Sequence, residues 1–262
     1  MRVTVLMENT GARRYFTAHG LSMLAEGRNQ TVLVDSGPDE NFAANAREME
    51  RDLQKVDFCV LSHAHHDHGG GLRKFLEVND HAPIYLRPQA FYDHSGDTGY
   101  AGLDRSLEGE ARLSYTDKFQ RLSDTALVFS KVESKEFVSE VCAVLLENGE
   151  PDKFLHEQNL LIEEDGKLFL FGGCAHCGIV NIMERAIEIA GRAPDHVFSG
   201  FHLALRDMMV SDEFAEKMAE KLLSYGSTFY TCHCTGLHPY EVMKRVMGDK
   251  LQYAATGCVF EF

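Results

Sequence analysis

The sequence predicts a mixed α/β (α+β) fold in which two β-sheets pack face to face and are covered by helices. Short apolar runs typical of strands come first in hairpins and are then interleaved with helical patterns, and this order occurs twice. Hydrophobic residues make up 44% of the 262 residues, which is enough for a substantial core. No repeat or linker-like tract interrupts the chain. We therefore expect a single domain over residues 1–262.

The individual elements follow from the spacing of apolar residues. Runs rich in β-branched and aromatic residues predict strands, and apolar residues three and four apart predict helices. The predicted strands cover residues 3–7, 21–25, 31–34, 58–61, 84–86, 126–129, 160–163, 168–171, 196–199, 228–231 and 253–255. The predicted helices cover residues 40–54, 71–78, 179–190, 213–223 and 239–247.

The highest density of potential metal-ligating side chains lies in residues 63–68, which hold four histidines and one aspartate within six positions. We call this segment the metal loop. This loop follows the predicted strand 58–61 and precedes three glycines at 69–71. It therefore lies at the C-terminal end of a strand, where open α/β sheets bind their ligands. Imidazole and carboxylate groups at this density predict a site for a divalent metal.

The spacing within this loop suggests how the ligands are divided. His63 and His65 are two positions apart and can converge on one ion, while Asp67 and His68 lie further along and can serve a second. His66 falls between the two pairs, so we expect its side chain to point away from the metals. Dinuclear sites of this kind hold their ions about 3.5–4 Å apart.

The loop resembles the H-x-H-x-D-H signature of the metallo-β-lactamase superfamily. Three later segments, at residues 172–181, 199–203 and 232–236, resemble in the same order the branch of dihydropterin-linked ribofuranosyl-aminobenzene 5'-phosphate synthase-like proteins. The early strand that ends in Asp35 resembles the family strand that ends next to the metal loop. The resemblance covers nearly the whole chain. It implies a four-layer αββα metallo-β-lactamase-like sandwich with metals at one edge between the sheets.

The resemblance also implies roles for individual residues. The implied metal ligands are His63, His65, Asp67, His68, His176 and His233. Cys174 is a further candidate ligand, because it follows Gly173 where many dinuclear members carry a bridging aspartate. Without that carboxylate the second ion is less securely held, so we expect one or two ions. His202 is a candidate ligand or base, Asp67 a candidate catalytic residue, and Asp35 is expected to orient a ligating histidine through a hydrogen bond.

The cysteines allow a different interpretation. Cys174 with Cys177, and Cys232 with Cys234, have spacings typical of a tetrathiolate zinc or iron–sulfur site. The histidines embedded in both segments favour the mixed metal site instead. Seven cysteines form an odd count without a disulfide framework, which favours a reducing compartment and a cytoplasmic location.

Charge and hydropathy restrict the partners. The net charge of −14 disfavours a nucleic-acid partner, since proteins that bind nucleic acids contact the phosphates through Lys and Arg. No run approaches the roughly 18–20 apolar residues that span a bilayer, so no membrane partner is expected. Arg73, Lys74, Arg87 and Arg206 are either surface charges or a means of holding one phosphate.

Residues 89–140 form the least regular part of the sequence. Irregular segments of this length are usually lids, binding loops or disordered. We therefore predict a lid or insertion over about 89–140, whose residues Phe91, Tyr92, His94, Tyr100 or Tyr115 contact the substrate.

These features favour a metal-dependent hydrolase that uses a metal-bound hydroxide against a small ester, lactone or phosphoester. Zinc is the expected metal, because it lowers the pKa of a bound water to about 7, and iron or manganese are alternatives. A second hypothesis is the synthase, a transferase, named by the branch. A third is a non-enzymatic metal or ligand sensor on the same scaffold. The sequence leaves the small-molecule substrate and the oligomeric state open.

Overall fold

The computed structural model describes residues 1–262, and the chain divides into two compact units. Unit 1 comprises Met1–Asp117, Leu145–Gln158 and Ala254–Phe262. Unit 2 comprises Lys118–Val144 and Asn159–Tyr253. Each unit contains one seven-stranded sheet and three of the six α-helices.

The strands, numbered in chain order, are β1 (Arg2–Met7), β2 (Ser22–Glu26), β3 (Thr31–Val34), β4 (Phe58–Val60), β5 (Ile84–Leu86), β6 (His94–Gly96), β7 (Gly99–Tyr100), β8 (Leu113–Tyr115), β9 (Phe119–Arg121), β10 (Ala126–Ser130), β11 (Leu146–Glu147), β12 (Glu150–Pro151), β13 (Gln158–Glu164), β14 (Lys167–Phe171), β15 (His196–Phe198), β16 (Ala204–Leu205), β17 (Met208–Met209), β18 (Thr228–Thr231), β19 (Leu251–Tyr253) and β20 (Val259–Glu261). The α-helices are α1 (Asn41–Glu48), α2 (His66–Gly69), α3 (Leu72–Val78), α4 (Ile179–Ala190), α5 (Asp212–Leu223) and α6 (Leu237–Met247).

Unit 1 is built on a sheet with the strand order β20-β1-β2-β3-β4-β5-β8. Strands β20 to β3 pair antiparallel, whereas β3, β4, β5 and β8 run parallel. Phe42 of α1 and Phe75 of α3 pack against sheet residues such as Leu33 in one apolar cluster. A four-stranded sheet, β12-β11-β6-β7, also belongs to this unit.

Unit 2 repeats this plan with the strand order β19-β18-β15-β14-β13-β10-β9. Its strands β14, β15, β18 and β19 run parallel, and Phe198 pairs with Phe171 on one side and Tyr230 on the other. Helix α4 places Ile179, Ile182 and Met183 at helical spacing, so one apolar face packs with α5 and α6 on the core of the sheet.

The structure confirms most elements that periodicity predicts. Strands β3, β5 and β18 and helix α4 have the predicted ends. The last predicted strand is placed too late, because β19 spans Leu251–Tyr253 rather than 253–255.

The helix predicted over residues 40–54 is wrong in its second half. Helix α1 ends at Glu48, because Glu50 takes a left-handed conformation with φ 57° and the amides of Glu50 and Arg51 bond back to the Arg47 and Ala46 carbonyls. A separate 3₁₀ turn follows at Leu53–Lys55, capped by the Asp52 side chain. The left-handed residue Glu50 thus ends the helix within a pattern that apolar spacing alone extends.

The segment predicted to be irregular, residues 89–140, contains short strands. Its first part, through Asp117, lies in unit 1 and supplies β6, β7 and β8, while the rest lies in unit 2 and supplies β9 and β10. Strands of two or three residues carry too few positions for an alternating pattern to be recognised. None of the helices combines the length and apolar character needed to cross a membrane.

Candidate metal-binding clusters

In unit 1 the candidate site begins where two parallel strands end side by side. Strand β3 leads into Asp35 and β4 leads into Ser62 and His63, and Val34 pairs with Val60 in the last register position. The Ser62 backbone amide donates to Asp35 Oδ1 at 2.7 Å, and its hydroxyl donates to Asp35 Oδ2 at 2.7 Å. The carboxylate is therefore held at the strand ends, where the sheet geometry places the following loop.

Asp35 also orients His68. The two side chains are fully buried, and Nδ1 of His68 lies 2.6 Å from Asp35 Oδ2. A carboxylate only accepts hydrogen bonds, so Nδ1 carries the hydrogen and Nε2 of the neutral ring keeps its lone pair. This is the arrangement by which a carboxylate orients a metal-ligating histidine, the role expected of Asp35.

The loop brings three imidazole rings together. The ring of His63 lies 4.0 Å from that of His68 and 4.8 Å from that of His65, measured between centroids. Asp67 Oδ2 lies 3.8 Å from His68 Nε2. His63, His65 and His68 are buried, whereas His66 is exposed, as expected for a side chain that points away.

The glycines after the loop permit close backbone packing. A Cβ on Gly71 would collide with the Ser36 carbonyl oxygen, and a Cβ on Gly70 with the Pro38 carbonyl oxygen. The metal loop therefore lies directly against the chain that follows Asp35, and only glycine permits this approach.

His156 supports the loop from outside the sequence segments that predict it. The Ala64 amide, between His63 and His65, donates to His156 Nδ1 at 3.0 Å. Nδ1 therefore accepts, Nε2 carries the hydrogen, and this nitrogen lies 3.0 Å from Asp152 Oδ2. With both ring nitrogens engaged, His156 holds the backbone of the metal loop instead of serving as a ligand.

Asp152 contacts both His156 and a second buried histidine, His94. Burial alone would raise its pKa, but contacts with His156 and His94 outweigh burial and hold the pKa well below its ordinary value. Nδ1 of His94 lies 3.6 Å from Asp152 Oδ2, and its Nε2 lies 3.1 Å from the Gln89 carbonyl oxygen. His94, a predicted substrate contact, thus lies against the Asp152–His156 pair that holds the metal loop.

The other predicted substrate contacts differ in their exposure to solvent. Phe91 packs in the apolar core of unit 1, whereas Tyr92 and Tyr115 are exposed. Tyr100 is also exposed, and its hydroxyl donates to the Leu103 carbonyl at 2.7 Å. These three tyrosines stay candidates for substrate contact, while the position of Phe91 gives it a packing role.

Replacing His156 with alanine is expected to weaken metal binding by about 10–100-fold, the usual effect of removing a residue that supports ligands. Asparagine is expected to restore part of the affinity, because its side-chain oxygen can accept the Ala64 amide. Metal affinity should be measured by competition with a chromogenic chelator. Equal losses in both variants would mean that this hydrogen bond does not position the loop.

In unit 2 the candidate residues again follow the ends of adjacent parallel strands. Strand β14 leads to Cys174 and His176, β15 leads to His202, and β18 leads to His233 and Cys234. Because β14, β15 and β18 are neighbours, these five side chains meet at one edge of the sheet. All five are buried.

Cys174 is the centre of two groups of possible metal donors. In one group, donor atoms of Cys174, His176 and His202 lie within 4.8 Å of one another, and in the other, those of Cys174, His233 and Cys234 do so. Ligands of one zinc ion lie at most about 4.6 Å apart, since each bond is about 2.0–2.3 Å long. Small side-chain movements would thus bring either group to an ion. Sulfur and imidazole donors fit zinc or iron.

The backbone at this edge is strained. His202 and His233 have φ of 47° and 52°, and Ala175 has φ of 54°. Left-handed conformations are unfavourable for residues other than glycine and concentrate at functional sites. Asp35 in unit 1 shares the feature, with φ of 58°.

Cys234 has an unusual environment. Burial alone would raise the pKa of its thiol, but contacts with Cys174, His202 and His233 lower the pKa well below its ordinary value. Both donor groups around Cys174 contain histidine, which favours a mixed nitrogen and sulfur site over a tetrathiolate.

The sequence assigns no role to Asp152 and marks His156 only as a weaker candidate ligand. The only local signal is the four-residue spacing of Asp152 and His156, which is common among surface residues as well. Cys234 appeared in the sequence only as part of a tetrathiolate alternative. Its place beside Cys174 depends on the pairing of strands that are distant in sequence.

Comparisons with known proteins agree with this fold. A family model described as the metallo-beta-lactamase superfamily matches residues 17–100, which include the metal loop. The crystal structure of Tm1679, a metal-dependent hydrolase of the beta-lactamase superfamily, has a TM-score of 0.84 and 27% identity, covering 100% of this chain and 99% of that chain.

Two relatives come from Methanocaldococcus jannaschii. An uncharacterised protein is 27% identical over 89% of this chain and 90% of its own length. A 7,8-dihydropterin-6-methyl-4-(beta-D-ribofuranosyl)-aminobenzene-5'-phosphate synthase is 26% identical over 95% of this chain and 91% of its own length. The family model on the metal loop and the structural match over the full length show that this chain is similar to proteins of the metallo-β-lactamase superfamily and has a mixed α/β fold like theirs.

Proposed function

We propose that the protein is a metal-dependent hydrolase of a small ester, lactone or phosphoester. The observation that carries the proposal is the buried imidazole cluster of the metal loop, in which Asp35 orients His68 at 2.6 Å. Such preorganised imidazoles serve to bind metal, since burying several polar rings is otherwise costly. The proposed ligands are His63, His65, Asp67, His68, His176 and His233, with Cys174 and His202 as further candidates.

The metal ion, when bound, acts as a Lewis acid that activates water and polarises the oxygen under attack. The protein's own residues have separate tasks. Asp35 fixes the hydrogen of His68 on Nδ1. Asp67 is partly exposed beside His68, so it can reach a bound substrate or water. His202, beside His176 with ring centroids 4.5 Å apart, can ligate or move a proton.

The synthase is a second candidate, because the similarity to the archaeal synthase extends over 95% of this chain. That reaction would require a cationic site for phosphate. Arg73 forms an ion pair with Asp104 at 2.7 Å, and the buried Arg87 donates to the Thr116 and Leu155 carbonyls. These two arginines are engaged in the fold, so neither is offered as a phosphate ligand for either reaction.

A hydrolysis screen tests the proposal. We expect metal-loaded protein to cleave at least one class among lactones, phosphodiesters and thioesters, with activity lost on chelation and restored by zinc, iron or manganese. The Asp67→Asn variant is expected to retain the fold but to lose most of the activity. Zero turnover on every class by protein with bound metal would refute the hydrolase, and condensation of a pterin with an aminobenzene riboside phosphate would establish the synthase.

A further inference from the structure

The sulfur of Cys234 is fixed in the fold by its neighbours in unit 2. The His202 backbone amide donates to Cys234 Sγ at 3.3 Å, and Sγ lies 3.7 Å from the Cys174 carbonyl oxygen. A Cβ on Gly200 would approach this sulfur to 2.6 Å, so the chain beside it must be glycine. The neighbouring Thr235 hydroxyl accepts from the Phe201 amide at 2.9 Å, which fixes the turn that carries Cys234.

A second thiol and an imidazole lie next to this sulfur. Donor atoms of Cys174, His233 and Cys234 lie within 4.8 Å of one another, and all three side chains are at most 2% exposed. The three residues follow the ends of strands β14 and β18. Two cysteines and one histidine form a known ligand set for catalytic zinc, with the fourth position open to water or substrate.

We propose that Cys174, Cys234 and His233 together bind one metal ion through two thiolates and one imidazole. The amide of His202 supports this role, because N–H groups directed at a sulfur stabilise its ligating, negatively charged form. The proposal rests on the metal binding of the proposed function, but not on hydrolysis.

This ligand set determines which metal binds and what it can do. Two thiolates cancel the charge of a divalent ion, whereas three neutral histidines leave it at +2. An ion in this site is therefore a weaker activator of water. The site itself favours a metal that binds sulfur well, such as zinc, over manganese. Manganese, which favours oxygen ligands, should bind here poorly.

The test uses the full chain, freed of metal and loaded with Co²⁺ alone, whose thiolate complexes absorb in the near ultraviolet. We expect a sulfur-to-cobalt band in the wild type, about half of its intensity in Cys174→Ser and in Cys234→Ser, and none in the double variant. Cys142→Ser is the matched control, because Cys142 is also a buried thiol of unit 2, and its band should equal that of the wild type. Circular dichroism reports whether each variant folds.

X-ray absorption on zinc-loaded wild type avoids the risk that a variant fails to fold. We expect two sulfur ligands at about 2.3 Å from one zinc ion. Zinc bound only through nitrogen and oxygen, or a cobalt band that survives the double substitution, would overturn this inference and leave the proposed function intact. A wild-type protein that takes up no metal would overturn both.

Discussion

Replacing Asp35 with alanine is expected to lower the free energy of unfolding by about 3–5 kcal/mol and to weaken metal binding by His68. The carboxylate is fully buried and interacts with the Ser62 amide, the Ser62 hydroxyl and His68 Nδ1 at 2.6–2.7 Å. Removing it leaves three buried polar groups without their acceptor, and the His68 ring is then free to adopt the other tautomer.

Urea unfolding and metal analysis of the purified variant measure these two effects. Ser36→Ala is a matched control, because the Ser36 hydroxyl also reaches this loop, donating to the His68 carbonyl at 3.2 Å. A neutral hydrogen bond of this kind contributes only about 1 kcal/mol, so the control should retain its metal. If the Asp35 variant loses no more stability or metal than the control, Asp35 does not orient His68.

Substituting the ligands themselves is expected to have the largest effect on activity. His63→Ala and His65→Ala should each lose the metal from one position, with affinity falling by more than the about 100-fold seen when a supporting residue is removed. Both rings are buried against each other, with centroids 4.8 Å apart.

His66→Ala provides the control within the same loop. His66 is exposed and begins helix α2, so its substitution should leave both metal content and turnover close to the wild-type values. Inductively coupled plasma mass spectrometry and a single kinetic assay are sufficient for the comparison. An equal loss of metal in all three variants would contradict the division of ligands within the loop.

Much of the fold could be predicted from the sequence because its signals are local. Helix α4 has a continuous apolar face, and β3 and β18 are short apolar runs with β-branched or aromatic residues. The four-stranded sheet of unit 1 was not predicted, because strands as short as Leu146–Glu147 and Glu150–Pro151 carry no periodic pattern. Long-range pairing of backbone groups decides such elements.

Some residues of the candidate site can likewise be predicted from local sequence, whereas others depend on long-range contacts. The metal loop is dense enough to be recognised from its letters alone, and Asp35 follows from the strand that precedes it. The roles of His94, Asp152 and His156 depend on which nitrogen faces which partner, and this follows only from three-dimensional contacts. The pairing of Cys174 with Cys234 likewise requires the adjacency of strands that are about 60 residues apart in sequence.

Metal analysis of wild-type protein, purified without added metal and dialysed, tests the central claim most directly. The claim is that the histidine and cysteine clusters of units 1 and 2 bind catalytic metal. We predict about one or two equivalents of zinc, iron or manganese per chain, lost on treatment with a strong chelator and regained when the metal is returned. Protein that is fully folded, contains no metal, and takes up none on reconstitution would contradict it.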